Sequence, residues 1–205
     1  MRIYLVTDEG LLLGKDLYRT VEAAVKGGVS MVQLREKESS TREFIERAIR
    51  LKEVLTPYGV PLIINDRVDV ALAADADGVH VGQSDMPYEM VKRLLPEGKI
   101  IGLSVESPEQ VLEANDYDLD YVAASPVFST TTKTNTIVEW GLDGLRWIRS
   151  VSRHPLVAIG GIHSNNVASI CKAGADSVAV ISAIVSADDP ERAARELLEK
   201  SGELH

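Results

Sequence analysis

The sequence predicts an α/β fold, a (β/α)8 TIM barrel formed by one domain that spans residues 1–205. Eight short apolar runs alternate along the chain with eight amphipathic helical patterns, and strict alternation is typical of βα units in series. Eight such units close naturally into a barrel, for which a chain of about 200 residues is near the lower limit. The alternation alone leaves a doubly wound open sheet as the alternative.

A recurring junction between helix and strand favours the barrel. In three places a helical pattern ends in a glycine or a short turn and enters the next apolar run, at residues 24–29, 74–79 and 172–178. The glycines fit left-handed caps at the ends of helices. Similar, tight connections repeated along the chain are what a small barrel needs.

The predicted strands are short apolar runs, as expected for the buried strands of a parallel sheet. In chain order they are residues 3–7, 31–34, 62–65, 78–81, 100–103, 121–124, 156–159 and 177–181. The predicted helices show apolar residues at helical spacing. They are residues 18–26, 41–55, 68–73, 88–94, 108–115, 142–151, 164–173 and 190–198.

Composition limits the kinds of partner. The net charge of −9 argues against nucleic acid, which requires basic surface. The single cysteine, Cys171, rules out an internal disulfide and a cysteine-rich metal site. No run approaches the roughly 18 apolar residues of a membrane span, and the first residues lack the features of a signal peptide. We therefore expect a cytoplasmic protein without a nucleic-acid or membrane partner.

Polar residues stand where several predicted strands end. Gln33 to Lys37 follow the second strand, Asn65 and Asp66 end the third, Asp85 follows the fourth and Ser104 follows the fifth. The carboxyl ends of parallel strands face the ligand crevice of α/β folds. These positions predict one shared active site.

Each of these motifs also has a simpler interpretation. Arg35 and Lys37 share one side of an extended chain, but they also fit a solvated surface turn, with Glu36 paired to a neighbouring cation. Asn65 or Asp66 also fits a helix N-cap. A cap does not explain Asp85, however, and two carboxylates from adjacent strand ends indicate Mg²⁺ held together with substrate phosphates. His80, inside the fourth strand, is interpreted as structural.

Two further segments predict binding of an anionic ligand. The long irregular stretch after the sixth strand carries hydroxyls and a cation at Thr130, Thr131, Thr132 and Lys133, and long loops often bind ligands. A flexible solvated loop is the alternative for this stretch. The glycine pair that ends in Gly161, with Ile181 and Ser182 after the eighth strand, resembles the phosphate site that many barrels build there. A tight strand-to-helix turn is the alternative for the glycines.

These motifs resemble those of the thiamine phosphate synthase (thiamine-phosphate diphosphorylase) family. The likeness extends from Tyr4 to the last helix. It rests on these phrases: residues 33–37, 64–67, 77–83 with Asp85, 101–104, 125–128 with 130–133, 159–162 and 180–184.

The resemblance implies a Mg²⁺-dependent transferase of thiamine biosynthesis, which joins hydroxymethylpyrimidine diphosphate to thiazole phosphate and releases diphosphate. It implies Mg²⁺ ligands at Asp66 and Asp85. It implies catalytic roles for Arg35, Lys37, Ser104 and Lys133, with the pyrimidine diphosphate bound by Gln33, Leu34, Arg35, Glu36, Lys37, Asn65, Ser104 and Lys133. The thiazole phosphate site would comprise Thr130, Thr131, Thr132, Gly161, Ile181 and Ser182. Relatives suggest a homo-oligomer.

The sequence departs from the family pattern in two places. Members often carry histidine where Glu106 stands, and the stretch after Lys133 lacks an expected proline. A rival is the thiazole tautomerase of the same superfamily, in which histidine replaces Pro126 and the residues of the diphosphate site are eroded. A non-catalytic binding barrel is a rival from another class. Pro126 and the intact carboxylates favour the synthase.

Overall fold

A computed structural model of the chain describes residues 2–129 and 139–202. Eight strands form a closed barrel in chain order, and every neighbouring pair, including the first and the eighth strands, is parallel. The strands are β1 (Arg2–Val6), β2 (Val29–Leu34), β3 (Leu62–Asn65), β4 (Gly78–Val81), β5 (Ile100–Val105), β6 (Tyr121–Ala124), β7 (Leu156–Ile159) and β8 (Ser177–Val180). The predicted barrel is confirmed, and the open-sheet alternative is wrong.

Helices connect the strands and surround the barrel. They are α1 (Leu17–Lys26), α2 (Thr41–Leu55), α3 (Val68–Ala73), α4 (Tyr88–Leu94), α5 (Pro108–Ala114), α6 (Gly141–Val151), α7 (Val167–Lys172), α8 (Ser182–Val185) and α9 (Pro190–Ser201). Short 3-10 helices occupy Glu9–Leu12 and Thr56–Tyr58. Within the described residues no helix is long and apolar enough to cross a membrane.

The beginnings of the helices follow from local side-chain chemistry. Ser40 starts α2 with a capping box, in which its hydroxyl accepts from the Glu43 amide and the Glu43 carboxylate accepts from the Ser40 amide. The start of α7 is later than expected, because residues 164–166 form a turn in which Asn166 Oδ1 accepts from the His163 amide at 2.9 Å. A side chain that binds local backbone in this way competes with the helix.

Apolar side chains form two layers of core. The outer layer lies between strands and helices and contains residues such as Leu5, Leu34 and Ile64, which are fully buried. The inner layer fills the barrel and comprises Tyr4, Val6, Ile63, Tyr121, Ala123, Val157 and Ala179. Alternate residues of each strand point to opposite faces, so consecutive residues divide between the two layers. The inner layer forms the base beneath the carboxyl ends of the strands.

Three aspartates connect the amino ends of neighbouring strands through hydrogen bonds. Asp77, Asp120 and Asp176 each precede an even-numbered strand, and each carboxylate accepts from the backbone amide at or near the start of the preceding strand at 2.8 Å. Two of the three belong to the recurring junctions of the sequence. Because these bonds lie at the amino-terminal face, they stabilise the barrel and leave the opposite face for ligands.

Candidate active site

A cavity of about 780 Å³ opens at the carboxyl ends of the strands. Ten of the residues proposed from sequence line it: Gln33, Arg35, Lys37, Asn65, Asp66, Asp85, Ser104, Gly161, Ile181 and Ser182. They come from six different strand ends, which shows that barrel closure brings sequence-distant groups to one space. Thr130, Thr131, Thr132 and Lys133 lie outside the described residues.

The carboxylates of Asp66 and Asp85 stand together on one wall of this cavity. Lys37 Nζ donates to Asp66 Oδ2 at 2.6 Å, and the Gly82 amide donates to Asp85 Oδ2 at 2.7 Å. Burial raises the pKa of Asp85, and hydrogen bonding to the nearby Asp66 adds to the rise. A carboxyl group whose ionisation is opposed by burial and by a neighbouring carboxylate is a place where a cation lowers the free energy.

Backbone geometry aims Asp66 at the cavity. Its φ is +62°, in the left-handed region, and its amide donates to the carbonyl oxygen of His80 at 2.8 Å. The helix-cap interpretation is wrong, because the N-cap position of α3 belongs to Arg67, whose side chain makes no capping bond. The Arg67 guanidinium instead binds Asp69 and Thr41. Strained backbone of this kind is concentrated at functional sites in proteins.

The residues at and after the end of β2 point in two directions, toward the cavity and away from it. Arg35 and Lys37 line the cavity, and Arg35 donates to Asp8 Oδ2 at 2.6 Å. Glu36 points elsewhere: its carboxylate accepts from Arg47 at 2.7 Å and is only 3% exposed. Leu34 is fully buried, and neither it nor Glu36 lines the cavity. In the structure, therefore, Glu36 anchors the loop to α2.

The floor of the cavity holds polar groups that sequence reasoning left out. Tyr4, His80, Gln83 and Glu106 line the cavity as well. Gln83 Nε2 donates to the backbone carbonyl of Ser104 at 2.6 Å. His80 and Gln83 stand beside recognised motif residues, whereas the position of Tyr4 in an apolar strand gave no chemical signal.

The opposite wall is formed by the glycine pair after β7 and by Ile181 and Ser182 after β8. Gly160 and Gly161 have φ of +103° and +65°, and a Cβ at Gly161 would lie 2.8 Å from that of Phe128. A side chain at this position would therefore collide with the neighbouring loop. In α8 the Ile184 and Val185 amides donate to the carbonyl oxygen of Ile181, and the Ser182 and Ala183 amides lie before them at the start of the helix. The wall accordingly presents backbone amides and small side chains, which suit an anionic group.

Two carboxylates with lysine and arginine nearby fit a hard cation that is shared with an anionic ligand. Within residues 2–129 and 139–202, no group of three or more His, Cys, Asp or Glu side chains could enclose a metal. The pair can therefore supply only part of a cation's shell, and water or ligand oxygens would complete it. The fold and the site are those of a (β/α)8-barrel enzyme whose active site lies at the carboxyl ends of the strands.

Comparisons with known proteins identify the family. A family model described as thiamine monophosphate synthase matches residues 3–184. A thiamine-phosphate synthase from Albidiferax ferrireducens is 53% identical over 190 residues, which cover 93% of this chain and 87% of that protein. A thiamine-phosphate synthase from Chloroflexus aurantiacus is 50% identical over 196 residues, which cover 96% of this chain and 90% of that protein. The chain belongs to the thiamine monophosphate synthase family.

Solved structures agree with this assignment. A thiamine phosphate pyrophosphorylase from Pyrococcus furiosus has a TM-score of 0.89 to this chain and 40% identity, with 98% of this chain and 96% of that one covered. A 3-hexulose-6-phosphate synthase from Salmonella typhimurium has a TM-score of 0.74 at 21% identity. The second likeness reflects the shared barrel fold alone.

Proposed function

We propose that this chain joins hydroxymethylpyrimidine diphosphate to thiazole phosphate, giving thiamine phosphate and diphosphate. The observation that carries the proposal is the Asp66–Asp85 pair, with Lys37 bound to Asp66 and Arg35 on the same cavity. A site with both carboxylates and cations suits a metal-bound diphosphate. Membership of the family and the length of the match support the same reaction.

Asp66 and Asp85 are the residues that would hold Mg²⁺. When bound, the ion would neutralise charge on the leaving diphosphate. Asp85 is oriented by the Gly82 amide and Asp66 by its left-handed backbone, so both carboxylates are directed before a ligand arrives. That preorganisation lowers the cost of assembling the site.

The side chains of the site act by position and charge. Arg35, Lys37 and, from the resemblance, Lys133 stabilise negative charge that develops on the diphosphate as its bond to the pyrimidinyl methylene breaks. The aminopyrimidine delocalises the positive charge left behind, which favours a dissociative path. Gln33, Asn65 and Ser104 hold the pyrimidine diphosphate in place.

The second substrate meets the opposite wall. Gly161, Ile181 and Ser182 of that wall and, from the resemblance, Thr130 to Thr132 bind the thiazole phosphate and direct its ring nitrogen to the reacting carbon. That nitrogen carries no proton, so the step needs no general base. Holding two reactants in line accounts for the remaining rate enhancement.

Two features argue against the thiazole tautomerase of the same superfamily. Proline stands at Pro126, where tautomerases carry histidine, and it lines the cavity beside Ser125. The residues of the diphosphate site, which are eroded in the tautomerases, are intact here at Asn65, Asp66 and Asp85. A binding barrel without catalysis would have no need of a leaving-group activator.

The direct test is to incubate the purified protein with both substrates and Mg²⁺ and to assay thiamine phosphate. Asp66→Asn and Asp85→Asn should each lower turnover at least about 100-fold, while Asp69→Asn, a neighbouring surface carboxylate, should leave it unchanged. Mg²⁺ should raise the unfolding temperature of the wild type and of the Asp69 variant, but not of the other two. Full activity in either site variant, or tautomer conversion without thiamine phosphate, would refute the assignment.

We also propose that residues 1–205 act as one catalytic domain in the cytoplasm, on small phosphorylated substrates, as a homo-oligomer. The charge of −9 and the apolar content support an enzyme that works without nucleic acid or membrane.

A further inference from the structure

A row of buried polar side chains crosses the barrel beneath the cavity. Gln33 Nε2 lies 2.7 Å from Tyr4 Oη, which lies 2.9 Å from Tyr121 Oη. Tyr121 Oη lies 3.0 Å from His80 Nδ1, and His80 Nε2 lies 2.9 Å from Ser104 Oγ. The row therefore connects two proposed substrate-binding residues, Gln33 and Ser104, through three residues that sequence reasoning assigned to no function.

The chemistry of the side chains determines which atom donates in each hydrogen bond of the row. The amide nitrogen of Gln33 only donates, so Tyr4 Oη accepts from it. Within the described residues Tyr4 bonds to Gln33 and Tyr121, so its proton is directed to Tyr121 Oη. The proton of Tyr121 is then directed to His80 Nδ1, which must accept. A neutral ring that accepts at Nδ1 carries its proton on Nε2 and donates to Ser104 Oγ.

Packing keeps the row in place. Tyr4 and Tyr121 are 1% and 4% exposed, and burial raises the pKa of both phenols, so both keep their protons. The His80 and Tyr121 rings stack with centroids 5.5 Å apart and planes 14° apart. Gly102 stands between them on β5, in register with both residues. The Tyr121 ring reaches His80 through the space that a side chain at Gly102 would fill.

We propose that His80 is a positioning residue, held as the neutral Nε2–H tautomer, which leaves the Ser104 hydroxyl proton available to an acceptor atom of the pyrimidine diphosphate. The ligand assignment rests on the proposed function, whereas the tautomer does not. If Ser104 donated to His80 instead, its proton would be used inside the protein and the hydroxyl could only accept from the substrate. The same row also couples the orientation of Gln33 to that of Ser104.

The tautomer is measured on the substrate-free protein. A long-range ¹⁵N–¹H correlation spectrum of protein labelled at histidine distinguishes protonated from unprotonated ring nitrogens, and comparison with His80→Gln identifies the signals of His80. We expect a protonated Nε2 and an unprotonated Nδ1. A ring protonated at Nδ1, alone or together with Nε2, overturns the proposal, and this result is independent of whether the chain has synthase activity.

Two amide variants of different length then test the positioning role. In His80→Gln the side-chain amide reaches the position of Nε2 and can still donate to Ser104, whereas the shorter amide of His80→Asn reaches only the position of Nδ1. We expect kcat/KM for the pyrimidine diphosphate to be about tenfold lower in the Asn variant than in the Gln variant, as for loss of one hydrogen bond. The KM for thiazole phosphate should be equal in both. Equal losses in two folded variants would reduce His80 to a packing residue and overturn the proposal.

Discussion

A substitution at Gly102 tests how tightly the side chains inside the barrel are packed. In Gly102→Ala the new methyl would stand 2.6 Å from Tyr121 Cε2 and nearer still to Cζ and Oη. Carbon atoms in contact lie about 3.5–4.0 Å apart, so relief of the closest contact, to Cζ, requires the ring to move by roughly 1.5 Å. The ring is 4% exposed and stacked on His80, and it therefore has little room to move.

The expected loss of stability combines two effects. Overpacking of a filled core typically costs about 1–3 kcal/mol. Movement of Tyr121 also breaks its hydrogen bond to His80, which adds about 0.5–1.5 kcal/mol. We therefore expect Gly102→Ala to lower the free energy of unfolding by about 2–4 kcal/mol, measured by urea denaturation monitored by circular dichroism.

A matched glycine and a double-mutant cycle isolate the cause. Gly10→Ala is the control, because the nearest atom to its new methyl, Asp8 Oδ1, lies at 3.4 Å, and its effect should stay within about 0.5 kcal/mol. In a Tyr121→Ala background the ring is absent, so Gly102→Ala should then cost less than about 1 kcal/mol. The same loss in both backgrounds, or a loss no larger than that of Gly10→Ala, would refute the steric account.

Two further predictions concern aspartates with left-handed backbone. Asp66→Ala and Asp66→Asn both remove the charge, but asparagine tolerates φ of +62°, so urea denaturation without Mg²⁺ should find the Ala variant about 1 kcal/mol less stable; equal stabilities would contradict the strain. Hydrogen bonds and charge from Lys99 and Lys52 lower the pKa of Asp75 to about 2. Its stabilising effect is therefore present above its ordinary pKa of 3.8 and is lost as pH falls toward 2, so Asp75→Asn should flatten the pH dependence of stability in that window. An unchanged slope would show that the exposed pairs contribute nothing.

The fold was predictable because its signals are local. Strands Leu62–Asn65, Gly78–Val81, Tyr121–Ala124 and Leu156–Ile159 have the bounds expected from apolar runs alone. The helix Ser182–Val185 was missed, because four residues are too few to display a helical period. Helix α7 was predicted too long because Asn166 uses its side chain on the backbone of the preceding turn.

The site was predictable in part, because strand ends converge in any barrel. The period of an extended chain explains the two residues that do not reach the cavity: Gln33, Arg35 and Lys37 share one side, whereas Leu34 and Glu36 occupy the other. Leu34 and Glu36 were assigned to the pyrimidine diphosphate site because they belong to the motif of residues 33–37, and a motif does not distinguish the two sides of a strand.

The hydrogen-bonded floor was beyond sequence reasoning for a different reason. Tyr4 and Tyr121 are 117 positions apart and meet only when the barrel closes. Their contact further requires that position 102 lack a side chain. No local pattern encodes such a three-way dependence, so the role of His80 becomes visible only with the fold.

The pairing of β1 with β8 has a consequence for how the chain is made. Arg2 pairs with Ser177, so the first strand lacks one of its two neighbours until about 175 further residues have been synthesised. At ribosomal rates of about 5–20 residues per second, that interval is roughly 10–35 s. During it, one edge of β1 exposes unpaired backbone groups, which are a template for wrong association. Slower elongation would lengthen this exposure, whereas a chaperone that covers the nascent edge would raise the yield of closed barrel.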